Sequence, residues 1–247
     1  MKNLPSTEHS GVITLVAGAS RPAGTPEPRR TPVARRVRWE LIVPPAVTLA
    51  VTLWGVTALP YWGDEADTVS AVSRSLPQLA RLLGHVDAVH GLYYLLLWPV
   101  AAVVGTGPLA LRLPSVLAMA AAALGIGAIG RRLVSPRAGL YAGLVFAVLP
   151  AVTQQAHDAR PYAMVMAAAV FASLQLIRVA EDPRPARFAA YSLSLVLLGY
   201  LEVLALLIVA AHAVTLIAWG AGHTPPGQGG PSRRRNLVYR GRQLSSW

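Results

Sequence analysis

Long apolar runs, each bounded by arginines, constrain this chain more than any other feature. A helix needs roughly twenty predominantly apolar residues to cross a bilayer, and Leu109 to Gly130 and Pro161 to Val179 meet that requirement. Basic residues bunch between the runs, at Arg29-Arg30, Arg35 to Arg38, Arg131 to Arg137, Arg178 to Arg187 and Arg233 to Arg242. This is the distribution of cytoplasmic loops. The net charge of +11 is therefore read as membrane orientation, with no nucleic-acid partner. Because 54% of the residues are hydrophobic and 13% charged, the expected fold is all-α, a polytopic transmembrane helical bundle. The absence of cysteine excludes a disulfide framework and thiolate chemistry.

Three parts are expected: a disordered basic cytoplasmic tail over 1–38, a transmembrane module over 39–220, and a second basic cytoplasmic tail over 221–247. The first span is expected at Leu41 to Leu59, with Pro44 and Pro45 in its opening turns, where a missing N–H costs little. Residues 66 to 83 carry apolar positions at helical spacing interrupted by Pro77, which predicts two short interfacial helices. Leu95 to Val104 is about half the length of a span. Charge parity decides its course: if residues 92–104 crossed, Arg131, Arg132 and Arg137 would lie outside. The remaining spans are Leu109 to Gly130, Ala138 to Val152, Pro161 to Val179, and a hairpin over Phe188 to Trp219 turning at Gly199, Tyr200 and Glu202. The total is about six crossings plus interfacial helices, with both termini cytoplasmic in a multi-pass plasma-membrane protein. The external loops are about 60–108 and 153–160.

This topology gathers Asp64, Glu65, Asp67, His85, Asp87, His90, His157, Asp158, Arg160 and Glu202 on the outer face. Charges at a membrane boundary are costly to desolvate and tend to mark reacting groups or ion paths. Each has a plainer reading: Asp64 and Glu65 suit the positive end of a helix, the histidines suit interfacial hydrogen bonding, and Tyr93, Tyr94 and Tyr162 suit an aromatic belt. Two external loops that are both acidic and both carry histidine favour a site.

The chain resembles the GT-C class of polytopic glycosyltransferases, in particular the bacterial branch related to protein O-mannosyltransferases and the lipid A aminoarabinose transferase. The residues carrying the resemblance begin with Tyr61-Trp62-Gly63-Asp64-Glu65-Ala66 and Asp87-Ala88-Val89-His90-Gly91-Leu92-Tyr93-Tyr94. They continue with Ala110-Leu111-Arg112-Leu113-Pro114-Ser115, Gly130-Arg131-Arg132-Leu133, and Gln155-Ala156-His157-Asp158-Ala159-Arg160-Pro161-Tyr162-Ala163. The resemblance implies transfer of mannose or a similar hexose from a polyprenyl-phosphate donor to an acceptor hydroxyl of a protein or glycan at the outer face. It makes Asp64 the base or acceptor-orienting residue with Glu65 in support. His90, Arg160, Tyr93 and Tyr162 fall to the substrate, and Asp158 orients the acceptor or Arg160, or holds a divalent cation. Gly91 stands where the family often has proline, Asp158 where it has glutamate, and Glu202 where relatives have histidine. Family chains also continue through further spans, so a truncated or partial enzyme is expected here. The alternatives are a non-catalytic membrane subunit or relic, with a partner subunit, and then a small transporter; the absence of internal repeats weighs against the last.

Overall fold

The structure, a computed structural model, describes residues 38–86 and 88–221. Apart from Arg38 and Ala221, the two expected tails lie outside the described residues, as does Asp87. Among the described residues, ten α-helices form an all-α membrane bundle: α1 Trp39–Leu53, α2 Gly63–Val72, α3 Leu76–Leu83, α4 Gly91–Val104, α5 Pro108–Leu133, α6 Pro136–Ala147, α7 Pro150–Ala156, α8 Tyr162–Glu181, α9 Pro185–Leu201 and α10 Ile208–Ala221. Among the described residues, α5 and α8 are each long and apolar enough to cross a membrane. The pair α6 and α7, bent by 62°, qualifies only when taken together. Shorter apolar helical stretches of 15 to 17 residues run over Trp39–Leu53, Ala88–Val104, Pro185–Leu201 and Val203–Trp219.

Three boundaries differ from the sequence reading, each for a local reason. The first helix opens at Trp39 and stops at Leu53, short of Leu59, and Gly55 follows in the left-handed region at φ +75°. Pro44 and Pro45 therefore lie inside α1. The run expected as one span over Ala138 to Val152 breaks where Pro150 opens α7, since proline cannot donate to the preceding turn. As a result, the first half of the expected loop 153–160 is helical, and the irregular segment is 157–161. The break at Pro77 is where it was expected, with that proline in the first turn of α3.

The packing of α1, α5 and α6 depends on missing side chains. Pro44 removes the N–H that would have bonded the Glu40 carbonyl, and Gly127 of α5 packs against that carbonyl. A Cβ at 127 would come within 2.5 Å of it. A Cβ at Gly143 of α6 would meet the Pro44 ring at 2.6 Å. Small residues at such crossings let membrane helices approach backbone to backbone. On the other side, α8, α9 and α10 share a buried polar pin. The Ser173 hydroxyl donates to the Ala169 carbonyl (2.9 Å). Its oxygen therefore accepts from His212 Nε2–H (3.1 Å), and Tyr191 O–H donates to Nδ1 (3.0 Å).

The bundle has two chemically different ends. At one, Arg131 of α5 pairs with Glu40 at the start of α1 (3.3 Å), Arg132 pairs with Glu181 at the end of α8, and Arg187 of α9 donates to the Arg178 carbonyl (2.8 Å). At the other end, about 39 Å away along α5, lie the C-terminus of α1, all of α2 and the segment 157–161. Helix α4 belongs to that second end along its length. Tyr93 is buried beside Ser115 and Asp158, Trp98 Nε1 donates to the Arg74 carbonyl (3.0 Å), and Thr106, just past the helix, accepts from Tyr61 Oη (2.9 Å).

Candidate functional site

The site is assembled around one buried ion pair. Glu65, in the first turn of α2, is fully buried, and both its oxygens meet Arg112 of α5: Nε to Oε1 at 2.8 Å and Nη2 to Oε2 at 2.6 Å. The rest of the Arg112 fork gathers the chain between α1 and α2 through the carbonyls of Val56 (2.8 Å), Leu59 (2.9 Å) and Pro60 (3.2 Å). The guanidinium also lies 5.4 Å from the centre of the Tyr61 ring. Burial and the Glu65 charge push the Tyr61 phenol up to about 12, which keeps it a proton donor to Thr106. Burial would raise the Glu65 carboxyl, but the Arg112 bonds and the Ala159 N–H outweigh it and hold the group below its ordinary value.

This pair also fixes the segment after α7. Glu65 Oε1 accepts the Ala159 N–H (2.8 Å), Thr68 Oγ1 donates to the Ala159 carbonyl (2.9 Å), and Ser115 Oγ donates to the Asp158 carbonyl (2.8 Å). Helices α2 and α5 thus grip residues 158 and 159 from two sides and set where the side chains of Asp158 and Arg160 emerge. Asp158 Oδ1 accepts from Trp62 Nε1 (3.3 Å). Burial raises the Asp158 carboxyl, and the Glu65 and Asp64 charges add to this against the lowering effects of Trp62 and Arg160. Arg160 is 8% exposed, yet its Nε–H is buried without a hydrogen-bond partner. Its Nη2 lies 3.8 Å from Asp64 Oδ2, and the Asp64 side chain remains 48% exposed. Burial lowers Arg160, but Tyr162 and the neighbouring tyrosine and aspartate charges more than restore it, so it stays a cation.

The structure thus brings together Asp64, Glu65, Asp158, Arg160, Tyr162 and Tyr93. Tyr93 is fully buried, and its Oη lies near Ser115 and Asp158 without a well-formed hydrogen bond. The His90 ring lies tilted against Tyr94, centres 6.0 Å apart, next to Tyr93. His157, by contrast, is tied away from the site, with Nε2–H donating to the Thr52 carbonyl (2.7 Å). His85 caps α3 through the Arg81 carbonyl (3.0 Å), and Glu202 caps the turn after α9 through Leu204 N–H (3.3 Å). Sequence reasoning quoted Arg112 only as part of a motif. The signal for it was an arginine one turn inside an apolar run, which needs a buried anion.

Chemically, the centre offers an accessible carboxylate (Asp64), a buried cation with an unused donor (Arg160) and a second carboxylate whose proton is held more tightly than usual (Asp158). Among the described residues, no group of three or more His, Asp or Glu side chains is close enough together to hold a metal ion. The positive charge beside Asp64 comes from Arg160.

Neither a curated protein nor a solved structure matches the chain significantly. A family profile matches residues 91–223, which take in Tyr93, Arg112, Asp158, Arg160 and Tyr162 and begin after Asp64 and Glu65. That profile is described as dolichyl-phosphate-mannose-protein mannosyltransferase and covers more than half of the chain, so this protein is a member of that family of membrane glycosyltransferases.

Proposed function

We propose that this protein transfers mannose or a similar hexose from a polyprenyl-phosphate donor to the hydroxyl of a protein or glycan acceptor at the outer face of the plasma membrane. The observation that carries the reading is Arg160: a buried guanidinium with an unpartnered Nε–H, set beside an accessible carboxylate. A phosphate accepts a charge-assisted fork from such a group. Asp64 serves as the base that takes the acceptor's proton as the glycosidic bond forms. Glu65 supports this by holding Arg112 and Ala159, and so the geometry of the centre. Asp158 orients the acceptor, and Tyr93, Tyr162 and His90 wall the donor side. The family as a whole acts on a lipid-linked sugar within a membrane.

Two further features support the reading. An apolar groove of about 400 Å³ lies between α4, α5, α8 and α9, lined along α8 by Met164, Ala168, Phe171 and Gln175. It opens one turn beyond Arg160 and extends about 16 Å along the helix, which suits an isoprenoid chain whose phosphate rests at Arg160. The basic end of the bundle lies opposite the site, consistent with cytoplasmic arginines and an external centre. In the same reading, residues 1–38 and 221–247 are cytoplasmic, and α4 lies along the membrane surface without crossing.

The test is transfer of labelled mannose from polyprenyl-phosphate mannose to acceptor in membranes containing the protein. Asp64→Asn keeps size and removes basicity, so turnover should fall by about two to four orders of magnitude. Near-normal turnover would remove Asp64 from the base role.

A further inference from the structure

We infer that the Arg74–Gln78–Arg81 face beside α3 is a docking site for the phosphate of an anionic phospholipid headgroup, separate from the catalytic centre. Helix α3 has two unlike sides. Leu79 is fully buried and Leu82 and Leu83 pack on the same apolar cluster, whereas Arg74, Gln78 and Arg81 are exposed around an open recess of about 420 Å³ floored by Leu82. Gln78 and Arg81, three apart on α3, share one face, and Arg74, in the turn between α2 and α3, lines the same recess.

Every polar group presented there is a donor. Arg74 uses Nε on the Ser70 carbonyl (3.3 Å) and Nη2 on Ser70 Oγ (3.4 Å), while Arg81 uses Nε on the Pro77 carbonyl (3.3 Å). These bonds steady the guanidinium planes and leave Arg74 Nη1 and both Arg81 Nη groups without a protein acceptor among the described residues. Gln78 Oε1 accepts the Ser75 N–H (3.0 Å), which leaves its amide N–H₂ as the available group. The ion pairs of the described residues engage Arg112, Arg131, Arg132, Arg160, Arg184 and Arg187, and neither recess arginine is among them. Two uncompensated forks and an amide around one recess select a phosphate-like anion.

The surroundings identify the lipid as its source. Trp98 donates its indole N–H to the Arg74 carbonyl, and Leu76 next to the recess is 45% exposed. A tryptophan, an exposed leucine and two arginines at one depth mark the headgroup boundary, where each basic side chain gains from anionic lipid. Asp64 and Glu65 lie in the first turn of α2, at the end away from the recess, and Asp67, midway along that helix, forms no ion pair with Arg74 or Arg81 among the described residues.

The purified full chain should be tested for retention of phosphatidylglycerol, phosphatidylcholine and soluble glycerol 1-phosphate by native mass spectrometry. The expected result is preferential retention of phosphatidylglycerol, weakened roughly 10- to 30-fold in Arg74→Gln/Arg81→Gln. The lysine pair should fall between, since it keeps the charge without the fork. Melting in phosphatidylcholine should be unchanged. Equal retention of the two lipids, or an unchanged preference in the glutamine pair, would overturn the inference. So would glycerol 1-phosphate binding as tightly as the lipid, which would make the ligand a soluble phosphate. If the glutamine pair melts early, Gln78→Glu decides: placing a negative charge in the recess must lower phosphatidylglycerol retention, and unchanged retention overturns the proposal.

Discussion

At the residue scale, neighbouring carboxylates on α2 have different surroundings. Glu65 is buried against Arg112, so Glu65→Gln strands a guanidinium inside the protein and should cost about 3–5 kcal/mol. Asp64 is half exposed and pairs loosely at 3.8 Å, so Asp64→Asn should leave the melting temperature within about a degree while abolishing transfer. Thermal melts of both variants in detergent, beside the transfer assay, check this division. The pH dependence separates Glu65 from Asp158. The Glu65 pKa is lowered on folding, so its contribution is complete above its ordinary 4.5 and is lost as pH falls through the lower folded value. The Asp158 pKa is raised, so ionising it penalises the folded state, and this penalty grows as pH rises from 3.8 through the folded value. Melting against pH should therefore lose its acid-side fall in Glu65→Gln, and Asp158→Asn should be more stable than the parent near neutrality. The acidic pair itself was legible in the sequence because three carboxylates close an apolar run. That Glu65 is occupied was not, because its partner lies 47 residues on, inside another apolar run.

At the element scale, the glycines of α5 and α6 set the distance between helices. Gly127→Val would drive side-chain carbon into the Glu40 carbonyl, backbone that cannot swing aside. Destabilisation of about 1–3 kcal/mol is expected, whereas Gly107→Ala, with nothing within 4 Å, should melt like the parent. The helices read from apolar length, α5 and α8, were legible to within a few residues, as was the Pro77 break. Those that were misread end at features acting over one or two residues, Gly55 and Pro150, which hydropathy averages away. Helix α4 was read through charge parity; Trp98, midway along it, and Thr106, just past its end, contact Arg74 and Tyr61 on either side of α2. In this cysteine-free chain, Thr106→Cys should react from outside with an impermeant maleimide and Ser135→Cys should not. Labelling at 135 with protection at 106 would mean that α4 crosses.

At the scale of the whole molecule, the bundle separates two electrostatic tasks. Arginines at one end are tied to Glu40 and Glu181 and to backbone carbonyls, and hold α1, α5, α8 and α9 together. At the other end, Arg112 is fully engaged by Glu65 and three backbone carbonyls, whereas Arg160 is buried with a donor to spare. The family and the membrane bundle could be read from ordered motifs across the chain. That Arg112 anchors the site could not, because it stands in an apolar run with no acid near it in sequence and meets Glu65 only through the fold. The most direct test is equilibrium binding of polyprenyl-phosphate mannose to the purified full chain, compared with Asp64→Asn and Arg160→Lys. The account predicts that Asp64→Asn binds the donor like the parent and that Arg160→Lys binds about tenfold more weakly, since one ammonium cannot reproduce the fork. Undiminished binding in Arg160→Lys, or loss of binding in Asp64→Asn, would contradict it.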